Sequence, residues 1–455
     1  MYLTKFYRHP VPRLLVCPGA LALVVGCPPD TPMPGGGVNP TCGVGTLGPT
    51  THTETEITAD TTWTAATSPH IVTRNLTIRN GATLTVEPCA YVRVDPDVQI
   101  TAGLNSLDET GTLEAMGTAT DPIRFLANGT DRWSNLRIHA PGNARLAYVT
   151  IEGAGSDEIT YDGASLVVWG DNQPPLATIA DVDNVTVMDS PGYGVLVERW
   201  GGFTANATGL TVTGSGGSLT AFPSPVRADA QVLGTLPPGS YTGNATDEIL
   251  VVPTQGIKED VTVSDLGVPY RITNIPSAAL NVTDDAVLTI NAGVQLHSEA
   301  DMQFRFGNAI SGGALRALGQ VGNPILFTSA GASPQAGDWV GLEFLSPPPA
   351  GASNMLDWVR IEYAGGDCSC GGRACPTTTN NDAALLILDW EPTASFLTNS
   401  TIANSAGNGI LRGWVDATCG GNVLDMGAGN TFTNVALADQ TTPKFQQPAC
   451  QSQCP

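Results

Sequence analysis

Lysine is almost missing from this chain. Lys5, Lys258 and Lys444 are the only ones in 455 residues, and all charged residues together make up 14%. Acids outnumber Lys and Arg by 42 to 20, giving a net charge of −22, so nucleic acid is excluded as a natural partner because one polyanion repels another. Histidine is sparse too: His52, His70, His139 and His297 are scattered without the spacing of metal ligands and read as surface or strand residues. After residue 26 no apolar run approaches the length that a membrane-spanning helix needs. No segment carries a convincing helical periodicity either. What is plentiful is glycine, 52 residues of it, among many Thr, Asn, Val and Ile, the composition of a β protein with frequent tight turns.

The start of the chain is organised for export. Lys5, Arg8 and Arg13 precede the mostly apolar run Leu14 to Gly26, which is too short to span a bilayer as a mature helix, so residues 1–26 read as a signal peptide. The run ends Leu23-Val24-Val25-Gly26-Cys27, which resembles the bacterial lipobox. That resemblance implies a lipidated Cys27, a Pro- and Gly-rich tether over 27–53, and anchoring by acyl chains to the membrane. Pro28, where an aspartate would favour retention at the inner membrane, points to the bacterial outer membrane or cell surface.

Of ten cysteines, Cys17 falls in the signal and Cys27 at the anchor. The other eight, Cys42, Cys89, Cys368, Cys370, Cys375, Cys419, Cys450 and Cys454, are disulfide candidates, since an even set in an exported chain oxidises readily. A metal site at Cys368, Cys370 and Cys375 is the lesser reading, and no metal is expected.

The chain is internally duplicated at a period of about two hundred residues. Leu84 to Val86 matches Leu288 to Ile290, Gly111 to Gly117 matches Gly313 to Gly319, and Asp121 to Phe125 matches Asn323 to Phe327. Asp131 to Trp133 matches Gly337 to Trp339 loosely; Leu146 to Glu152 matches Leu356 to Glu362, and Asn184 to Trp200 matches Asn399 to Trp414. The halves are placed at 54–245 and 246–440, followed by a Cys-containing tail at 441–455. Within each half, apolar residues alternate in very short runs, such as Leu84 and Val86 or Val149 and Ile151, the period of strands with one buried face. Such strands build a core only if the chain coils and each strand pairs in parallel with its equivalent one coil later. Unequal spacing argues against a propeller.

The order Leu288 to Ile290, Gly313 to Gly319, Asn323 to Ser329, Gly337 to Gly341 and Leu356 to Gly365 resembles bacterial surface proteins with right-handed parallel β-helix repeats of the pectate-lyase-like superfamily. The resemblance implies an all-β, single-stranded β-solenoid over about residues 54 to 440 in two copies. Coils of about 20 to 25 residues are expected, a dozen or more of them, with residues 54–75 and the tail after Pro443 as end caps. Cys89 departs from the pattern, standing where the second copy has Gly293.

That superfamily includes polysaccharide lyases and glycosidases, whose chemistry needs clustered carboxylates or Ca²⁺ with a basic residue. The chain has no Gly-His-Gly and no Arg-Ile-Lys, two elements that polygalacturonases carry. Asp181 with Asp183, and Asp95 with Asp97, place paired carboxylates on one strand face, but all lie beside turn residues and read as turn acceptors; Ca²⁺ is the one cofactor left open there. No catalytic residue is assigned. Trp133 and Trp339, and Trp200 and Trp414, occupy matched positions in both halves and are the candidates for stacking on sugar rings, with core packing as the competing role. The expected function is therefore a surface-anchored, non-catalytic module that binds polysaccharide or a surface protein, or serves as a structural spacer. A polysaccharide lyase or glycoside hydrolase is the alternative.

Overall fold

Alternating apolar and polar residues in runs of three to six settle as short strands, because each strand then turns one face inward and leaves the other to solvent. The computed structural model describes residue 42 and residues 45–104, 109–157, 160–219, 221–367, 382–416 and 423–445. Every strand pairing among them, from Thr50–His52 on His70–Val72 to Val415–Asp416 on Lys444–Phe445, is parallel. The chain is a parallel β-helix. Inward residues form ladders: Leu84 stacks on Leu113, Leu113 on Ala144 and Ala144 on Ala180, all buried. Each fully buried Leu, Val or Ile contributes roughly 1.5–3 kcal/mol relative to exposure, and aromatic stacks such as Phe306 on Phe344, 4.9 Å between centroids, form a ladder of the same kind in another sheet.

The coils are less regular than expected. The step along the longest sheet runs from roughly twenty residues, Ile57 to Ile78, to roughly forty, Arg360 to Thr401, because loops of very different length leave one strand and rejoin at the next. Residues 54–75 already hold coil strands, Glu56–Ile57, Thr61–Trp63 and His70–Val72, so they are the first turns of the helix and not a separate cap. Cys42 is bonded to Cys89 and ties the segment ahead of those turns to a turn below. Cys89 has φ of 67° and Gly293 of 87°, so the half-cystine occupies the same left-handed corner that glycine fills in the second copy. Cys27, Cys368, Cys370, Cys375, Cys419, Cys450 and Cys454 lie outside the described residues.

Matched positions of the two halves share backbone geometry. Asn184 and Asn399 have φ of 53° and 50°, and Tyr148 and Trp358 have 50° and 52°, a conformation unusual for aromatic residues. Gly192 and Gly407 pack against the neighbouring coil so closely that an added Cβ would sit 1.6 Å from Asp162 O and 2.1 Å from Asp382 O. Yet the copies are not stacked face on face. Tyr91–Val94 belongs to a 13-stranded sheet, whereas its counterpart Gln295–Ser298 belongs to the 14-stranded sheet that also contains Ile100–Ala102. The counterpart of Ile100–Ala102 lies in Gln303–Phe306, in a separate 5-stranded sheet. The second copy thus continues the first one face out of phase, through Val226–Asp229, Ile249–Val252 and Tyr270–Ile272, and the 14-stranded sheet runs unbroken through residues 245 and 246.

Candidate ligand-binding face

The four tryptophans singled out for sugar stacking are inside the fold. Trp133 and Trp339 are 0% exposed, and Trp200 and Trp414 are 2% exposed, so none offers a ring face to a ligand. The reason is visible in their hydrogen bonds: Trp133 Nε1 donates to Glu152 O at 3.0 Å and Trp339 Nε1 to Glu362 O at 2.9 Å, the same corner contact made twice. Trp200 Nε1 donates to Gln255 Oε1 at 2.9 Å. The competing role, packing, is the one these residues perform. The paired aspartates are likewise engaged locally: Asp95 Oδ1 accepts from Asn128 Nδ2, Asp181 Oδ1 from Thr204 Oγ1 and Asp183 Oδ1 from Asn184 Nδ2, at 2.7, 2.7 and 2.8 Å. Among the described residues, Cys42, Cys89 and Asp121 bring metal-type ligand atoms together, but the two sulfurs are spent on their disulfide.

Two of the scattered histidines meet. His52 Nε2 lies 3.0 Å from His70 Nδ1, His52 Nδ1 lies 2.7 Å from Glu54 Oε1, and Trp63 stacks on His52 at 4.4 Å. All sit in the first coils, where the imidazoles fill the core edge, so they are structural.

The polar chemistry collects instead on the outer face of the 14-stranded sheet in the first half. In Leu136–His139, Leu166–Trp169, Val195–Glu198 and Val226–Asp229, registered side by side, every second residue points outward: Arg137 and His139, Val167 and Trp169, Leu196 and Glu198, Arg227 and Asp229. Half-buried Trp169 is the centre. Tyr161 meets it edge-on at 5.4 Å, His139 edge-on at 6.5 Å, and the exposed Arg199 lies over the indole at 4.4 Å. Arg137 donates to the Tyr161 hydroxyl. His139 is 5% exposed and neither ring nitrogen has a hydrogen-bond partner among the described residues. Burial, then Arg137 and Arg199, hold its pKa down at about 4.

Beside this group is a carboxylate cluster. Arg227 binds Glu198 at 2.8 Å and Asp162 at 2.9 Å, while Asp229 accepts from Arg199 N and Thr254 Oγ1, both at 2.9 Å. Burial raises the pKa of Glu198 and of Asp229. The strand register puts these two acids on neighbouring strands of the same outer face.

The duplication allows the needs of the fold to be subtracted. Strand register places Glu343, Leu345, Leu386 and Leu388 in the second copy where Arg137, His139, Val167 and Trp169 stand in the first. The second copy covers this position with an apolar cluster of Ala383, Leu386, Leu388 and Leu411, so folding requires none of the first copy's arginine, histidine or tryptophan. Sequence matching missed Trp169 because it favoured aromatics shared by both copies; the signal was a tryptophan present in one copy alone.

No curated protein and no solved structure matches the chain. Residues 256–350, beyond the face just described and a minority of the chain, match the family model of a pectate-lyase like beta helix domain.

Proposed function

We propose that this chain is an exported, lipid-anchored β-helix that binds extracellular polysaccharide on its outer face without cleaving it. The observation that carries the reading is the group of Arg137, Tyr161, Trp169 and Arg199 in the first copy; at the places of Arg137 and Trp169 the second copy has Glu343, paired with Arg305, and the apolar Leu388. The half-buried Trp169 indole suits the apolar face of a sugar and the exposed Arg199 guanidinium its oxygens, while Tyr161, 6% exposed, steadies the indole edge-on. Arginine charge is balanced locally by Glu198, Asp229 and Asp162, which favours a hydroxyl-rich chain over a polyanion. Weak contacts to a repeating polymer add up through multivalency.

Changing Trp169 and Arg199 together to Ala is expected to weaken retention on the preferred polysaccharide at least about tenfold, with each single change costing less. Affinity electrophoresis against neutral and acidic polymers measures this, and undiminished binding by the double variant would remove the face from the proposal. The anchor has its own check: Cys27→Ala is expected to move the mature protein from the membrane fraction to the soluble one, since the acyl group is its only proposed membrane-affine element. Retention of that variant in membranes after signal cleavage would contradict lipidation.

A second reading, a polysaccharide lyase or glycosidase, is favoured by Glu198 and Asp229, two acids on neighbouring strands of the face whose pKa values burial raises, as a general acid requires. Against it, both Asp229 oxygens already accept hydrogen bonds and Glu198 is held by Arg227. Incubation with acidic and neutral polymers, with and without Ca²⁺, is expected to release neither unsaturated products nor reducing ends. Release that Glu198→Gln abolishes would establish the enzyme.

A further inference from the structure

A groove of about 670 Å³ opens on the second half, between the loop carrying Pro347 and Pro348, the strand Met355–Asp357 and the loop that runs from Trp390 to Phe396. Its size is that of a small-ligand site. One wall is aromatic: Trp390 and Phe396 are half-buried, with rings parallel to within 10° and centroids 6.4 Å apart. Trp390 Nε1 donates to Phe344 O at 3.1 Å, which fixes the plane of the indole and spends its only polar atom on the backbone. What remains of that ring for a ligand is its apolar face.

Among the remaining lining groups, which include the apolar Leu318, Met355 and Leu356, three polar ones are incompletely used. Asn354 is 5% exposed; its Oδ1 accepts from Leu315 N at 3.0 Å, and its Nδ2 has no partner among the described residues. A buried amide donor left unmade costs about 1–3 kcal/mol, so this N–H₂ group is poised for an acceptor that the protein does not supply. Asp357 Oδ1 accepts from Thr398 Oγ1 and Asn399 Nδ2 at 2.7 and 2.8 Å, leaving Oδ2 without a hydrogen bond among the described residues, and the exposed Glu391 carboxylate stands on the rim. No Lys, Arg or His lines the groove among the described residues.

We propose that this groove binds a neutral hexose unit of a glycan. The apolar face of a pyranose ring lies against Trp390, its hydroxyls donate to Asp357 and Glu391, and a ring or hydroxyl oxygen accepts from Asn354 Nδ2. Two acids without a balancing cation exclude a uronate or sulfated sugar by repulsion. A proline-rich peptide would suit the aromatic wall but brings no hydroxyl donors, so binding it would desolvate both carboxylates without compensation. Trp390 has no aromatic counterpart in the first copy, where Asp171 stands at the corresponding step after the strand, and the groove is therefore a property of the second half alone. The inference shares no residue with the face around Trp169, so either can fail without the other.

The test uses the full chain with maltohexaose, cellohexaose and mannohexaose as neutral probes, a galacturonate hexamer as the charged probe, and a proline-rich decapeptide, read by saturation-transfer NMR and tryptophan fluorescence. At least one neutral hexasaccharide is expected to bind and the other two classes not to. Trp390→Ala is expected to lower that affinity at least tenfold. Asn354→Asp, which keeps the acceptor for Leu315 N while removing the free donor, is expected to lower it several-fold, read well below the variant's thermal transition because a buried carboxylate also costs stability. Absence of binding by all three neutral probes, equal affinity in the Trp390 and Asn354 variants, or preference for the peptide or the galacturonate would each overturn the proposal.

Discussion

Arg305→Met is expected to destabilise the second half of the β-helix by about 3–5 kcal/mol, because it leaves a carboxylate stranded. Glu343 is 1% exposed and stands on an outer face beside Leu386, at the edge of the apolar cluster of Ala383, Leu386, Leu388 and Leu411. Its Oε2 accepts from Arg305 Nε at 2.9 Å, its Oε1 has no partner among the described residues, and Arg305 is steadied in turn by Gln303 Oε1 at 3.0 Å. Burial pushes the Glu343 carboxyl up while Arg305 pulls it down, so removing the arginine raises it further. A group whose folded pKa is raised binds more protons folded than unfolded, and stability then falls as pH rises through that range. The penalty should therefore be small in acid and largest near neutral pH. Adding Glu343→Leu to Arg305→Met should recover most of the loss, since replacing both partners of a buried pair by apolar groups is near neutral. Because each coil contacts only its neighbours, amide exchange should quicken around 303–344 and stay unchanged around 84–151. A loss below about 1 kcal/mol in urea titration would mean that the pair is solvated like a surface ion pair.

How much of this was legible in the sequence depends on which force fixed each residue. Period-two alternation is set by burial on one strand face, and it marked the strands and, with them, the parallel coil. Loop length is set by nothing periodic, so coils of about twice the expected size escaped the reading. The phase shift between copies was invisible for another reason. It is decided by how Val226–Asp229, Ile249–Val252 and Tyr270–Ile272 join the two halves, a matter of which face a strand lands on and not of what it contains. For the site, repetition was a misleading guide. Residues that recur at both positions of a duplicated fold, such as Trp133 and Trp339 with their matching indole hydrogen bonds, answer to what both halves need, which is folding. Trp169 and Trp390 do not recur, and they are the tryptophans that reach the outer surface beside unpartnered polar groups. His52 and His70 were brought together by coil stacking alone, at a sequence separation that no metal or catalytic motif would have flagged.

The same subtraction gives the second large effect: His139→Leu is expected to make the protein at least as stable as the wild type at pH 7 and about 3 kcal/mol more stable relative to it at pH 4. The ring of His139 is buried between Trp169 and the guanidinium groups of Arg137 and Arg199, without a hydrogen bond to either nitrogen among the described residues. Its pKa is lowered to about 4 from an ordinary 6.5, by burial first and the two arginines second. Between those pH values the unfolded chain holds the extra proton and the folded one does not, so wild-type stability falls as pH drops from about 6.5 toward 4. Leucine neither titrates nor leaves buried nitrogens unmade. His70 and His297, whose pKa values are also lowered, and the carboxyls of Glu198, Asp229, Glu248 and Glu343, whose values are raised and act with opposite sign, are common to both proteins and cancel in the difference. Leu345 fills the equivalent position in the second copy, so the fold accepts the substitution there. Urea titration of both proteins at pH 7 and pH 4 decides the matter. A variant less stable at pH 7, or a stability gap that does not widen in acid, would show that the imidazole is satisfied by contacts that leucine cannot replace, and His139 would then belong to the packing of the sheet and not to the face built around Trp169.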